Sequence, residues 1–203
     1  MEEPRAYAWV VPERVAVAER PGGCGRAHRR EARVEELEWW RDHGVVAIVS
    51  GMRTRHCLDD YAARGFEVHW HPLKAPGQAR DAVVALAREV RDFLETHDGA
   101  VLVHCDCANE WLAAIDAVLR MELGLARTLR TALGHAAADG LPVGSLATSI
   151  VASHSLAQSQ CTRTAPSWVS RRSRTSRASA TTASRACSGS FSGCQRTSNP
   201  RAA

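Results

Sequence analysis

The chain has 203 residues, of which 45% are hydrophobic and 24% charged. At roughly 150 residues to a common domain this is one domain with a remainder, too short for a multidomain machine and long enough to bury a core without disulfide or metal staples. The formal net charge of +4 hides an asymmetry: through Asp139 there are 18 basic against 22 acidic residues, a net of −4, and the rest of the chain carries +8.

Met1-Glu2-Glu3-Pro4 lacks the basic, apolar order of a secretory signal, and no stretch resembles a membrane span. The sequence therefore reads as cytoplasmic, with its seven cysteines mostly reduced. Lys74 is the only lysine beside 25 arginines, the coding habit of a GC-rich bacterial genome. Trp9 to Ala18 predicts a short hairpin or two strand pieces, closed by Arg20-Pro21-Gly22-Gly23. Glu31 to His43 puts Val34, Leu37 and Trp40 on one helical stripe, with Gly44 as its stop. Val45-Val46-Ala47-Ile48-Val49 is apolar throughout, as in a parallel strand covered on both faces. Leu58 to Arg64 predicts one or two helical turns, and Phe66 to His71 a strand stopped by Pro72. Gln78 to Thr96 is the clearest helix, with Val83, Ala87, Val90 and Leu94 inward. Ala100-Val101-Leu102-Val103 is a second continuously apolar strand, which runs through His104-Cys105-Asp106-Cys107-Ala108-Asn109 into a helix carrying Leu112, Ile115, Val118 and Leu119. Gly124 divides this helix from a last one, Leu125 to Ala138. The alternation of strand and helix implies an α/β domain with a central, mostly parallel sheet flanked by helices, over residues 5–147.

From residue 148 to 203 the chain turns to Ser, Thr, Ala and Arg with little to bury, which predicts a disordered, low-complexity basic tail. A solvated tail, a basic arm for acidic partners and an out-of-frame reading of GC-rich DNA all fit this composition. Nucleic-acid binding by the tail is not expected.

In open α/β sheets ligands bind beyond the carboxyl ends of the strands, which directs attention to residues 104–111. An apolar strand ending in His104-Cys105 and turning into a helix resembles the cysteine-dependent protein tyrosine and dual-specificity phosphatases. Their signature is His-Cys, five residues, then Arg. The order of elements over residues 7–140 is consistent with that family, including Asp42-His43-Gly44-Val45 and His71-Pro72-Leu73. The resemblance implies Cys105 as the nucleophile, attacking phosphorus as a thiolate, and His104 as the residue orienting the loop. It implies no cofactor and no metal, and a phosphorylated ligand or a protein as partner.

Asp106, Cys107, Ala108, Asn109 and Glu110 fill the loop and Trp111 occupies the arginine position, where an indole offers one N–H and no charge. The loop glycines are absent, Asp106 and Glu110 add negative charge, and Lys74-Ala75-Pro76 stands where a general-acid aspartate is expected. Arg53 and Arg55 follow the strand Val45–Val49 and are candidates for the same rim. The sequence therefore predicts the fold with impaired chemistry, a pseudophosphatase with a binding or regulatory role. The alternative is an active phosphatase working through a Cys105 phosphoenzyme. Two lesser readings use the same residues: a zinc site from His69, His71, His104, Cys105, Asp106 and Cys107, and a reversible Cys105–Cys107 disulfide.

Overall fold

The computed structural model describes residues 3–73 and 79–158. Five strands form one sheet: β1 (Tyr7–Val11), β2 (Val15–Glu19), β3 (Val45–Ser50), β4 (Glu67–Trp70) and β5 (Ala100–Cys105). Their order across the sheet is β1-β2-β5-β3-β4. β1 and β2 are the expected antiparallel hairpin, and every other pairing is parallel. Parallel neighbours need crossovers, and these carry the helices α1 (Arg30–Asp42), α2 (Leu58–Ala63) and α3 (Ala79–Thr96). Among the described residues three more helices follow β5: α4 (Glu110–Glu122), α5 (Leu129–Ala138) and α6 (Ser145–Gln158). Among the described residues no helix is long and apolar enough to cross a membrane.

Side chains alternate across a strand, so each strand feeds two cores. Ala16, Ala18, Ile48, Ala100 and Leu102 pack with Leu37 and Trp40 of α1 and Leu58 and Tyr61 of α2. The alternating Val15, Val17, Val49, Val101 and Val103 are equally buried and turn to the other face, where α4 lies on β1, β2 and β5. Helices α3, α5 and α6 close around α4, whose residues from Leu112 through Glu122 are all buried. Burying a Leu- or Ile-sized side chain contributes about 1.5–3 kcal/mol, so these two faces supply most of the folding drive.

Three details depart from the sequence pattern. Val46, inside the all-apolar run, is 44% exposed, because the β3–β5 register shifts between Val45 and Ala47 and the extra residue turns outward. On α1 the buried positions are Arg33, Leu37 and Trp40, with Val34 only half-buried. Arg33 can be buried because its Nε donates to Asp60 Oδ2 at 2.9 Å. The domain also continues past residue 147. Ala147, Ile150, Val151 and His154 form a buried stripe on α6, spaced at helical intervals among serines that masked it in the composition. The low-complexity stretch beyond residue 158 lies outside the described residues.

Candidate active site

The parallel pairing of β2 with β5 puts Glu19 opposite Cys105, so both strands end together at the carboxyl edge of the sheet. A cavity of about 750 Å³ opens there. Its lining includes Cys105, Asp106, Asn109 and Trp111 from the loop after β5, together with Arg20, His28, Met52, Arg53 and His56.

Cys105 is 4% exposed, and its thiol donates to the carbonyl oxygen of Cys107 at 3.0 Å. Burial pushes the Cys105 pKa up to about 12, and the neighbouring Asp106 carboxylate adds to the effect. The group is therefore a neutral thiol at physiological pH, the opposite of an activated nucleophile. His104 is wholly buried, edge-on to Tyr61 with ring centroids 5.6 Å apart. Burial lowers its pKa to about 4, so the ring is neutral; its Nδ1 lies 3.4 Å from the Cys105 carbonyl oxygen. The backbone oxygen of His104 accepts from Gly51 N at 2.7 Å, which ties the end of β5 to the segment after β3.

Two backbone donors of the loop are used within it. Asn109 N donates to Cys107 O at 2.9 Å, and Trp111 N donates to the Asn109 side chain at 3.0 Å, making Asn109 the N-cap of α4. Trp111, half-buried, supplies apolar wall where a guanidinium would stand. Glu110 does not add charge to the cavity, contrary to the expectation from its position. Its Oε2 accepts from Leu146 N at 2.8 Å, capping the start of α6, and Gly144 packs against the same carboxylate. Asp106 does face the cavity and pairs with Arg20, Nη1 to Oδ1 at 3.4 Å. Cys107 and Ala108 are half-buried and do not line the cavity.

The cysteine pairing also differs from expectation. Cys107 forms a disulfide with Cys24, across 83 residues, while Cys105 and Cys57 are free thiols. The Cys105–Cys107 bridge, one of the two lesser readings, does not form because β5 runs straight through Cys105 and Cys107 turns to meet the 20–25 turn. The Cys24–Cys107 bridge takes two of the seven cysteines, and Cys57 and Cys105 keep the reduced form the sequence predicts. Nor does the zinc set assemble: His69 and His71 both contact Glu89 of α3, away from Cys105. Among the described residues the group with metal-ligand spacing is instead His28, His56 and Cys57. The Nη1 of Arg33 lies 2.9 Å from His28 Nε2 and 3.0 Å from Cys57 Sγ, and a guanidinium on those two donors opposes a cation.

Of the two rim arginines, Arg53 lines the cavity, whereas Arg55 lies over the Trp70 ring at 5.3 Å. Lys74 and Ala75, where the general acid was sought, lie outside the described residues. Sequence reasoning passed over Arg20, His28 and His56. The signal for Arg20 was its position at a strand end beside Pro21-Gly22-Gly23, which reads as a turn and nothing more.

Cys105 thus stands at the tip of a central parallel strand, leading into a buried helix, in an α/β domain whose fold is similar to that of protein tyrosine and dual-specificity phosphatases. No family model matches the sequence, and none of the curated proteins does. Among solved structures, the chain is similar to human DUSP28 at 16% identity and TM-score 0.54, over 78% of this chain and 100% of that one. It is similar to Tk-PTP in its active form at 18% identity and TM-score 0.56, over 74% and 95% of the respective chains. A likeness at this identity concerns the fold, and the chemistry has to be argued from the residues present.

Proposed function

We propose that this protein is a pseudophosphatase, a phosphatase-fold protein that binds a phosphorylated ligand or a protein partner without hydrolysing a phosphate ester through Cys105. The observation that carries this reading is the state of the 104–111 loop. Phosphoryl transfer by this kind of site needs a thiolate, backbone N–H groups aimed at the phosphoryl oxygens and a bidentate cation. Here the thiol is held protonated, the Asn109 and Trp111 amides bond within the loop, and Trp111 stands in the place of the cation. Each loss raises the barrier by itself, and together they leave binding as the use that the cavity still supports.

The test is hydrolysis of an aryl phosphate across pH 5–8, with Cys105→Ser as control. The expected result is no release of phenol above the Cys105→Ser background. Turnover that disappears in Cys105→Ser would establish the competing reading, an active enzyme with a Cys105 phosphoenzyme.

A further inference from the structure

We propose that the cavity is a binding site for a phosphate dianion, free or esterified, anchored on Arg20 with Arg53 beside it rather than on the 104–111 loop. The proposal rests on the non-catalytic reading above and gives that reading its ligand and its contact residues.

Arg20 leaves β2 at the strand edge, one residue beyond Glu19, whose partner is Cys105. Its side chain is buried, with the residue 6% exposed, yet it lines the cavity. The guanidinium is fixed from behind: Nε donates to Gly23 O and Nη2 to Gly25 O, each at 3.1 Å. Two carbonyls from one turn thus set the plane of the fork, and Nη1 points to Asp106. Gly22 and Gly23 sit at φ +87° and +100°, and this left-handed backbone is what wraps the turn around the side chain. Cys24, between the two accepting carbonyls, is the residue disulfide-bonded to Cys107. The turn that holds the guanidinium is therefore covalently tied to the loop after β5 that lines the cavity.

The charge balance favours an anion. Arg20 and Arg53 line the cavity against the single carboxylate of Asp106, and His28 and His56, rings 5.4 Å apart, complete the polar wall. Asp106 is the group a ligand would replace: it is exposed and its 3.4 Å contact is long for an ion pair with a fixed guanidinium. A phosphate oxygen in its place would gain the pre-oriented donor, and Asp106 would return to water at little cost. Met52, Leu73 and Trp111 on the remaining walls are apolar and accept the organic part of an ester.

The experiment is calorimetric titration of the full chain with inorganic phosphate and, separately, phenyl phosphate. Both are expected to bind; a several-fold preference for phenyl phosphate would identify the esterified form as the ligand, and equal affinity the free ion. Arg53→Ala should weaken binding, and Asp106→Asn should strengthen it, each by about tenfold. Arg20→Lys keeps the charge and loses the fork, and should remove measurable binding. If Arg20→Lys unfolds, as circular dichroism would reveal, the two exposed positions decide the matter. No binding of either probe, or affinity unmoved in both Arg53→Ala and Asp106→Asn, overturns the Arg20 anchor and leaves the non-catalytic reading standing. Cys105-dependent phenol release during the titration overturns the non-catalytic reading instead.

Discussion

The cavity at the strand edge has two polar walls that use their donors in opposite ways. In residues 104–111, Asn109 takes the Trp111 amide, Cys107 takes the Cys105 thiol and the Asn109 amide, and Glu110 faces away to cap α6. Residues 20–28 carry a guanidinium braced by two carbonyls, with one nitrogen facing the cavity. The two walls are stitched by the Cys24–Cys107 bridge, so they differ in chemistry while sharing one frame. Recognition of an anion and attack on it are separable properties of such a site. The first needs a fixed cation and the second a low-pKa thiol; the Arg20 guanidinium is braced, while burial raises the Cys105 thiol to about 12.

The sharpest measurement of the difference is the reactivity of Cys105. With its pKa near 12, alkylation by iodoacetamide should be about a thousandfold slower at pH 7.5 than for an ordinary thiol, and should keep rising with pH through 10. A titration with a midpoint below 8, followed by mass spectrometry of the 101–120 peptide, would contradict the account of the inert wall.

Removing the stitch has the next largest effect. For a closed loop of 83 residues the chain-entropy account gives about 4.5 kcal/mol, so Cys24→Ser with Cys107→Ser should lower unfolding stability by up to that amount in urea denaturation. The same pair of changes should loosen both walls and weaken phosphate binding. Stability unchanged by the double substitution would mean that the walls hold their places without the bridge.

His104 makes the site acid-sensitive. Its folded pKa, lowered by burial to about 4, lies below the unfolded value, so its neutral ring contributes stability that is present above about pH 6.5 and lost as pH falls toward 4. The expected loss over that window is about 3 kcal/mol, read from denaturation midpoints at a series of pH values. A flat profile between pH 7 and 4 would contradict the burial of the ring.

Two substitutions on the inert wall have smaller effects. Trp111→Arg should add a second bidentate donor and tighten phosphate binding by about tenfold, with hydrolysis still near background because Cys105 stays protonated. Rapid Cys105-dependent turnover in that variant would mean that one residue separates the two kinds of site. Glu110→Gln should leave phosphate affinity unchanged and cost about 1 kcal/mol, since the carboxylate caps α6 rather than facing the cavity. Tighter phosphate binding in Glu110→Gln would return that charge to the cavity.

What the sequence determined by itself is the layer order. Short continuous apolar runs such as Val45–Val49 and Ala100–Val103, each preceded by a glycine and rich in valine, fit a parallel sheet covered on both faces, and the spacing of Val83, Ala87, Val90 and Leu94 fits a helix. That burial is local in its logic, so a single sequence carries it. The place of Cys105 at the end of β5 and of Trp111 in the arginine position was equally legible, because both are counted along one segment. The tertiary structure alone decided which charges meet. Arg20 reaches the cavity because β2 pairs with β5, a neighbour relation across more than 80 residues that no local pattern encodes. Glu110 leaves the cavity because α6 packs beside α4 and presents an amide to be capped, and Cys107 bonds to Cys24 because the 20–25 turn folds over the loop. Electrostatics and covalent pairing depend on distances of a few ångströms between remote segments, and those distances exist only once the sheet has fixed its strand order.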